Sequence, residues 1–208
     1  MDKIQIIKPF GSCGKVILFT ICGYSNEVVE PLCKEFEGID NVAIVQGNIL
    51  NVRSSAIVSP ANSFGEMSGG LDKQIDNYFK GEAQTRAISV IRNDYFGELP
   101  VGKSMIIKMN DKKFQHLILS PTMRIPGILE KNSINAYLAM RGLLVAIANF
   151  NRTAENKMDS VAIPSLCTGV GGMSAEESAS QMYVAYENVV MSNWRNVLHP
   201  AMAPYATR

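Results

Sequence analysis

Short apolar runs of strand length alternate along this chain with stretches of helical character, and this alternation restricts the fold more than any other feature. Val16 to Ile21, Val42 to Gln46, Ala56 to Ser59, Ser104 to Met109, His116 to Leu119 and Val161 to Ile163 read as strands, most of them rich in β-branched residues. Asn26 is placed to cap a helix running towards Gly38, in which Pro31 is tolerable only near the first turns. Gly69 to Phe96 carries Ile75, Tyr78 and Phe79 on one helical face and Ala87, Ile88 and Ile91 on another, and Gly81 divides it into two helices. Ser133 caps a helix with an apolar stripe of Ala136, Met140, Leu143, Leu144 and Ile147. Ser174 caps the last helix, and Glu177 completes a capping box. Buried strands joined by helical crossovers pair in parallel. The pattern therefore predicts an α/β fold over residues 1–208 as one domain, with a mixed, mainly parallel central sheet and helices on both faces.

A hydrophobic fraction of 47% supports a sizeable core. Lys and Arg total 20 against 19 Asp and Glu, so the chain carries no field of one sign and no strong nucleic-acid signal. No apolar run approaches the ~20 residues that span a bilayer, so no membrane association is expected. Met1 to Lys8 lacks the apolar core of a signal peptide, and Asn151-Arg152-Thr153 carries no glycosylation message without secretion. Cys13, Cys22, Cys33 and Cys167 form no C-x-x-C pair and lie far from His116 and His199, so no metal site is expected. Free thiols in a reducing, cytoplasmic compartment are the expectation.

Gly97-Glu98-Leu99-Pro100-Val101-Gly102-Lys103-Ser104 matches the phosphate-loop pattern G-x-x-x-x-G-K-[ST]. That motif works when a strand precedes the loop and a helix follows, because the helix supplies the amides and the dipole. Here a helix precedes and the strand Met105-Ile106-Ile107 follows, so the segment reads as a turn into a strand.

Ligands of open α/β sheets lie outside the carboxyl ends of the strands, which directs attention to two loops. Ser59-Pro60-Ala61-Asn62-Ser63-Phe64-Gly65-Glu66-Met67-Ser68-Gly69-Gly70-Leu71-Asp72 follows one strand and opens a helix. Pro164-Ser165-Leu166-Cys167-Thr168-Gly169-Val170-Gly171-Gly172-Met173-Ser174 does the same after another. Glycines let backbone amides approach a phosphate, and a helix start adds its positive end. Two such loops at neighbouring strand ends can clasp a diphosphate from both sides.

At these residues the sequence resembles the macrodomain family, which binds ADP-ribose. Gly47-Asn48-Ile49 is similar to that family's G-D-I element, and Ala56-Ile57-Val58-Ser59-Pro60-Ala61-Asn62-Ser63 to its A-I-V-N-A-A-N-S strand end. Ser68-Gly69-Gly70-Leu71-Asp72 is similar to its glycine run ending G-G-V-D, and Ile163 to Gly171 to its F-P-A-I-S-T-G-I-Y loop. The resemblance implies a three-layer α/β/α sandwich and a site for ADP-ribose, or for an ADP-ribosylated macromolecule, without a cofactor. The implied ligand-binding residues are Asn48, Ile49, Ala61, Asn62, Gly69, Gly70, Leu71, Asp72, Ser165, Cys167, Thr168, Gly169, Val170 and Gly171. By the same resemblance, Asn48 would face the adenine, Asn62 the distal ribose, Gly69 to Leu71 one phosphate, and Thr168 to Gly171 the other side. Asn62 and Asp72 align with the pair that hydrolytic members use. Read by themselves, Asn62 caps its turn, Asp72 is a first-turn carboxylate and Cys167 is a small packing residue.

Three departures qualify the resemblance. Asn48 stands where an aspartate is usual, so its bond to an adenine amino group lacks charge assistance. Gly171 replaces an aromatic over the distal ribose, which implies a wider end. Met67 and Ser68 replace two glycines and narrow the loop's choice of conformations. Outside the motifs, Ser120 to Pro126 also follows a strand, with Arg124 either reaching a phosphate or solvated. Trp194 is either a core anchor or an adenine platform, and His199 has no site context. Four functions compete: an ADP-ribose binder; a hydrolase that removes ADP-ribose or deacylates its ester through Asn62 and Asp72; a nucleoside triphosphatase using Lys103 and Ser104; and a partner-binding protein that kept the fold without the ligand.

Overall fold

The structure is a computed structural model that describes residues 17–196 and 199–205. Met1 to Lys8, Cys13 and Val16 lie outside the described residues. Strands β1 (Leu18–Gly23), β2 (Val42–Gln46), β3 (Ala56–Ser59), β4 (Met105–Lys108), β5 (His116–Leu119) and β6 (Ser160–Pro164) form one sheet in the order β2-β1-β6-β3-β5-β4. Every pairing is parallel except β4 with β5. The sheet is mixed and mainly parallel, as the alternation predicts.

Among the described residues five α-helices cover it: α1 (Asn26–Glu35), α2 (Gly70–Tyr78), α3 (Glu82–Asp94), α4 (Asn135–Thr153) and α5 (Ala175–Val189). The period-two alternation of the strands divides the core into two layers. Phe19, Ile21, Val58, Val161 and Ile163 pack with α1, α4 and α5, including the stripe Ala136, Met140, Leu143, Leu144 and Ile147. Cys22, Ile57, Leu117, Leu119 and Ala162 face the other way, onto Ile75 of α2 and Ala83, Ala87 and Ile91 of α3. The result is the three-layer α/β/α sandwich. Each fully buried aliphatic side chain contributes roughly 1.5–3 kcal/mol relative to exposure, so the sheet is held from both sides.

Element ends differ from expectation where tertiary contacts set them. β1 starts at Leu18 and ends at Gly23, since its ladder with β2 and β6 extends past Ile21. Ser25, not Asn26, holds the cap position of α1; Asn26 is already helical and its amide group donates to Glu30. Pro31 sits in the body of that helix. Ile134 holds the cap position of α4, while Ser133 Oγ accepts the Asn135 amide from one residue further out, at 3.3 Å. Ser174 caps α5 as expected, its Oγ accepting the Glu177 amide at 3.2 Å, and the Glu177 carboxylate accepts from Gln181. Gly81, with φ +86°, makes the left-handed break between α2 and α3.

The phosphate-loop match is a turn. Lys103 closes it through its amide to the Pro100 carbonyl at 3.0 Å, and β4 follows. Ser104 is buried and donates to Ser120 Oγ, which donates to the Ala139 carbonyl, both at 2.9 Å. A Cβ on Gly142 would lie 2.7 Å from the Gly102 carbonyl, so α4 packs in contact with the turn. Trp194, 56% exposed in a short 3-10 turn after α5, is no core anchor.

Candidate functional site

β6 lies between β1 and β3, and the chain leaves this centre in opposite directions: β1 leads outwards to β2, and β3 pairs outwards with β5 and β4. Such a switch point splays the loops at the carboxyl edge and leaves a crevice there. A cavity of about 460 Å³ occupies it. Cys22 and Tyr24 reach it from β1, and Gly47 and Ile49 from the end of β2. The loop after β3 supplies Ala61, Asn62, Glu66 and Gly69 to Asp72, the segment after β5 supplies Thr122 and Met123, and the loop after β6 supplies Ser165 and Cys167 to Gly171. Of the residues expected from the sequence, all but Asn48 line this one cavity.

Asn48 instead caps the 3-10 turn Ile49–Asn51, its Oδ1 accepting the Leu50 amide at 2.9 Å. Its neighbours on both sides face the cavity.

The first loop is anchored from below. Met67 is buried in the core, its amide donates to Gln84 Oε1 at 2.6 Å, and the Ser68 amide donates to Glu66 Oε1 at 2.9 Å. Gly69 then caps α2 without a side chain. The helix's first bond runs from Lys73 N to Gly69 O at 3.1 Å, so the amides of Gly70, Leu71 and Asp72 precede any intrahelical acceptor. They form the positive end of a helix at the cavity wall. Among the described residues lining the cavity there is no Lys, Arg or His, so an anion bound here is held by neutral donors, the amides at the start of α2 among them.

Asn62 is buried and holds its own turn: Oδ1 accepts the Phe64 amide at 3.0 Å, and Nδ2 donates to the Glu66 carbonyl at 2.7 Å. Asp72 stands in the first turn of α2. Burial pushes its carboxyl up from 3.8 to about 6; a hydrogen bond from Ser59 opposes that shift and the Glu66 charge adds to it. Such a carboxyl exchanges a proton near neutral pH, which general acid–base chemistry requires.

In the second loop, Ser165 is tied to β1 by its amide to the Cys22 carbonyl at 2.9 Å, and its hydroxyl meets Thr168 Oγ1 at 2.9 Å. Cys167 adopts a left-handed φ of +66° and is buried in the core cluster under α5. Burial pushes its thiol, and that of Cys22, up to about 12, so both are neutral packing groups. The missing side chain at Gly171 leaves no added space beside Leu129. A Cβ there would meet the Cys167 carbonyl at 2.7 Å and Leu129 Cδ1 at 3.0 Å, and the Leu129 amide donates to the Gly171 carbonyl. The chain after β5 fills that side.

Arg124 does not line the cavity. It forms two hydrogen bonds to Glu98, at 2.8 and 3.0 Å, and lies over the Phe64 ring. Trp194 does not line the cavity either. Tyr24, Glu66 and Gln74 join the site without having been expected there. The carboxyl-edge rule points to Tyr24, which follows β1; no pattern in the sequence marks Glu66 or Gln74. Among the described residues no group of three or more His, Cys, Asp or Glu is arranged to hold a metal ion, and no helix is long and apolar enough to cross a membrane.

Comparison with known proteins gives concordant results. A family model described as Macro domain matches residues 58–182. An uncharacterized protein of Aquifex aeolicus is 30% identical over 147 residues, covering 68% of this chain and 78% of its own. One of Aeropyrum pernix is 29% identical over 155 residues, 74% of each chain. The fold is similar to the macrodomain of Mycobacterium tuberculosis DarG (TM-score 0.57, 23% identity, 69% of this chain and 88% of that one). It is also similar to the Oceanobacillus iheyensis macrodomain with ADP (0.55, 19%, 74% and 92%). A third similar structure is Thermosipho africanus DarTG in complex with ADP-ribose (0.56, 16%, 81% and 50%).

Proposed function

The chain belongs to the Macro domain family, and from that premise we propose that its cavity binds ADP-ribose, free or attached to a macromolecule. The observation that carries this reading is the cation-free wall of amides at the start of α2, opposite the loop Thr168 to Gly171. A diphosphate between them meets oriented N–H groups from both sides. The adenine lies towards Gly47, Ile49 and Tyr24, and the distal ribose towards Asn62 and Asp72. Asn48 caps its own turn and lies outside the cavity lining, so the base is met by its neighbours Gly47 and Ile49. The relatives solved with ADP and with ADP-ribose support the assignment.

Calorimetric titration with ADP-ribose, against ADP, AMP and ATP, is the test. Saturable binding that prefers ADP-ribose is expected; equal or stronger binding of ATP would remove the distal-ribose contacts from the proposal.

Hydrolysis is the second reading, favoured by the Asp72 carboxyl, which titrates at about 6 in the cavity wall. In it, Asn62 holds the ribose, and Asp72 orients and activates the attacking water. Asp72→Ala then abolishes release of ADP-ribose from a modified macromolecule even at saturating substrate, beyond any loss of affinity. Release that recovers at saturating substrate would reduce Asp72 to a binding residue.

A further inference from the structure

Ser59 is the last residue of β3 and is fully buried. Its carbonyl accepts the Ser120 amide at 3.0 Å, which extends the β3–β5 ladder and fixes its backbone. Strand alternation puts its side chain on the same face as Ile57, under α2. There its hydroxyl donates to Asp72 Oδ1 at 2.5 Å. The contact joins the end of a central strand to the first turn of a helix. The other carboxylate oxygen, Oδ2, makes no hydrogen bond among the described residues, and Asp72 lines the cavity.

The last torsion of an aspartate is broad, so packing alone does not choose which oxygen faces outwards. A donor fixed in the sheet does. We propose that Ser59 is a positioning residue: by holding Oδ1 it turns Oδ2 of Asp72 towards the sugar hydroxyls of the bound ligand. The proposal rests on the ADP-ribose reading of the cavity. A carboxylate oriented in advance accepts a hydroxyl hydrogen bond without first losing rotational freedom. Ser59 also favours the ionised carboxyl, against burial and against Glu66. Besides Asp72 and Glu66, the titratable groups at the cavity are Tyr24 and the Cys22 and Cys167 thiols, which burial keeps neutral.

The experiment compares the full-length chain with Ser59→Ala, Asp72→Ala and the double variant. Carbon-detected NMR follows the Asp72 carboxyl without ligand, and calorimetry follows ADP-ribose affinity across roughly pH 5 to 8. Ser59→Ala is expected to move the carboxyl titration upwards and to weaken affinity at neutral pH roughly three- to thirty-fold. The acidic limb of the affinity profile moves with the titration. In the Asp72→Ala background the same change adds no further loss. An unmoved titration, or an equal loss with and without Asp72, overturns the proposal and makes Ser59 a packing residue. If the wild-type chain binds no ADP-ribose while the titration still moves, the ligand reading and the sugar contact fail and the anchoring of the carboxylate stands.

Discussion

The Tyr24 hydroxyl donates to Gln74 Oε1 at 3.0 Å, joining the loop after β1 to α2 beside the cavity that both residues line. Tyr24 is 59% exposed, so the bond stands in water, where it contributes little. The ring is the larger asset, because an aromatic face beside Gly47 and Ile49 offers a stacking surface for a base. Tyr24→Phe is therefore expected to change ADP-ribose affinity by less than about two-fold, and Tyr24→Ala to weaken it by roughly five- to fifty-fold. Calorimetry on the two variants checks this. A large loss in the phenylalanine variant would instead make the bridge to Gln74 the important part.

The glycines of the second loop are predicted to differ. A Cβ on Gly169 meets nothing within 4 Å, whereas one on Gly171 meets the Cys167 carbonyl at 2.7 Å and Leu129 at 3.0 Å. Backbone cannot swing aside as a side-chain end can. Gly171→Ala therefore displaces the loop, costing about 1–3 kcal/mol of stability and most of the ligand affinity. Gly169→Ala leaves stability within about 0.5 kcal/mol, and its effect is confined to any ligand against that face. Thermal unfolding with and without ADP-ribose separates the two, and equal melting temperatures would refute the packing argument.

Asp72 gives a pH-dependent stability of defined sign. Its carboxyl titrates at about 6 in the folded chain and near 3.8 when unfolded, so between those values the folded state binds the extra proton. Stability is full below about pH 4 and falls as pH rises through 6, because the ionised form is then carried in a buried site. A tenfold difference in proton affinity between the two states corresponds to about 1.4 kcal/mol, and discounting for partial exposure leaves a loss on the order of 2 kcal/mol. Asp72→Asn is expected to unfold at higher denaturant concentration than wild type at pH 8, with the difference vanishing near pH 4. The Ser59 hydroxyl can still donate to the asparagine oxygen. A variant no more stable at pH 8 would place the carboxylate in full contact with water.

The two cavity loops were legible because each is a local pattern: a buried strand, a glycine-bearing turn and a helix start lie consecutively, and the carboxyl-edge rule does the rest. The sheet covered by helices on both faces was legible for a similar reason, since strand-length apolar runs alternate with helical stretches along the chain, and the family resemblance added the three-layer form. What escaped the sequence is non-local. The hydrogen bond from Ser59 to Asp72, the pairing of Arg124 with Glu98, and the reach of Tyr24 to Gln74 each depend on how separate elements dock. No periodicity encodes them. The placement of β6 between β1 and β3 is likewise fixed only when the last third of the chain is in place. Asn48 shows the reverse case: its residue type fits both a base contact and a turn cap, and the backbone geometry has already engaged one lone pair.

Lys103 and Ser104 test whether a motif out of context carries chemistry. A phosphate loop needs a lysine aimed at phosphates and a hydroxyl free for a metal ion. Here Ser104 is the first link of a buried chain through Ser120 to the Ala139 carbonyl, and α4 lies against the turn. Ser104→Ala is expected to cost about 1 kcal/mol of stability without affecting ligand binding, since Ser120 keeps its bond to Ala139. Lys103→Ala is expected to change stability by less than about 0.5 kcal/mol and to leave ADP-ribose affinity unchanged. Chemical denaturation and calorimetry on both variants check these values. Nucleotide binding that disappears with Lys103 would move the ligand from the carboxyl edge of the sheet to this turn, and would require α4 to lift from Gly102.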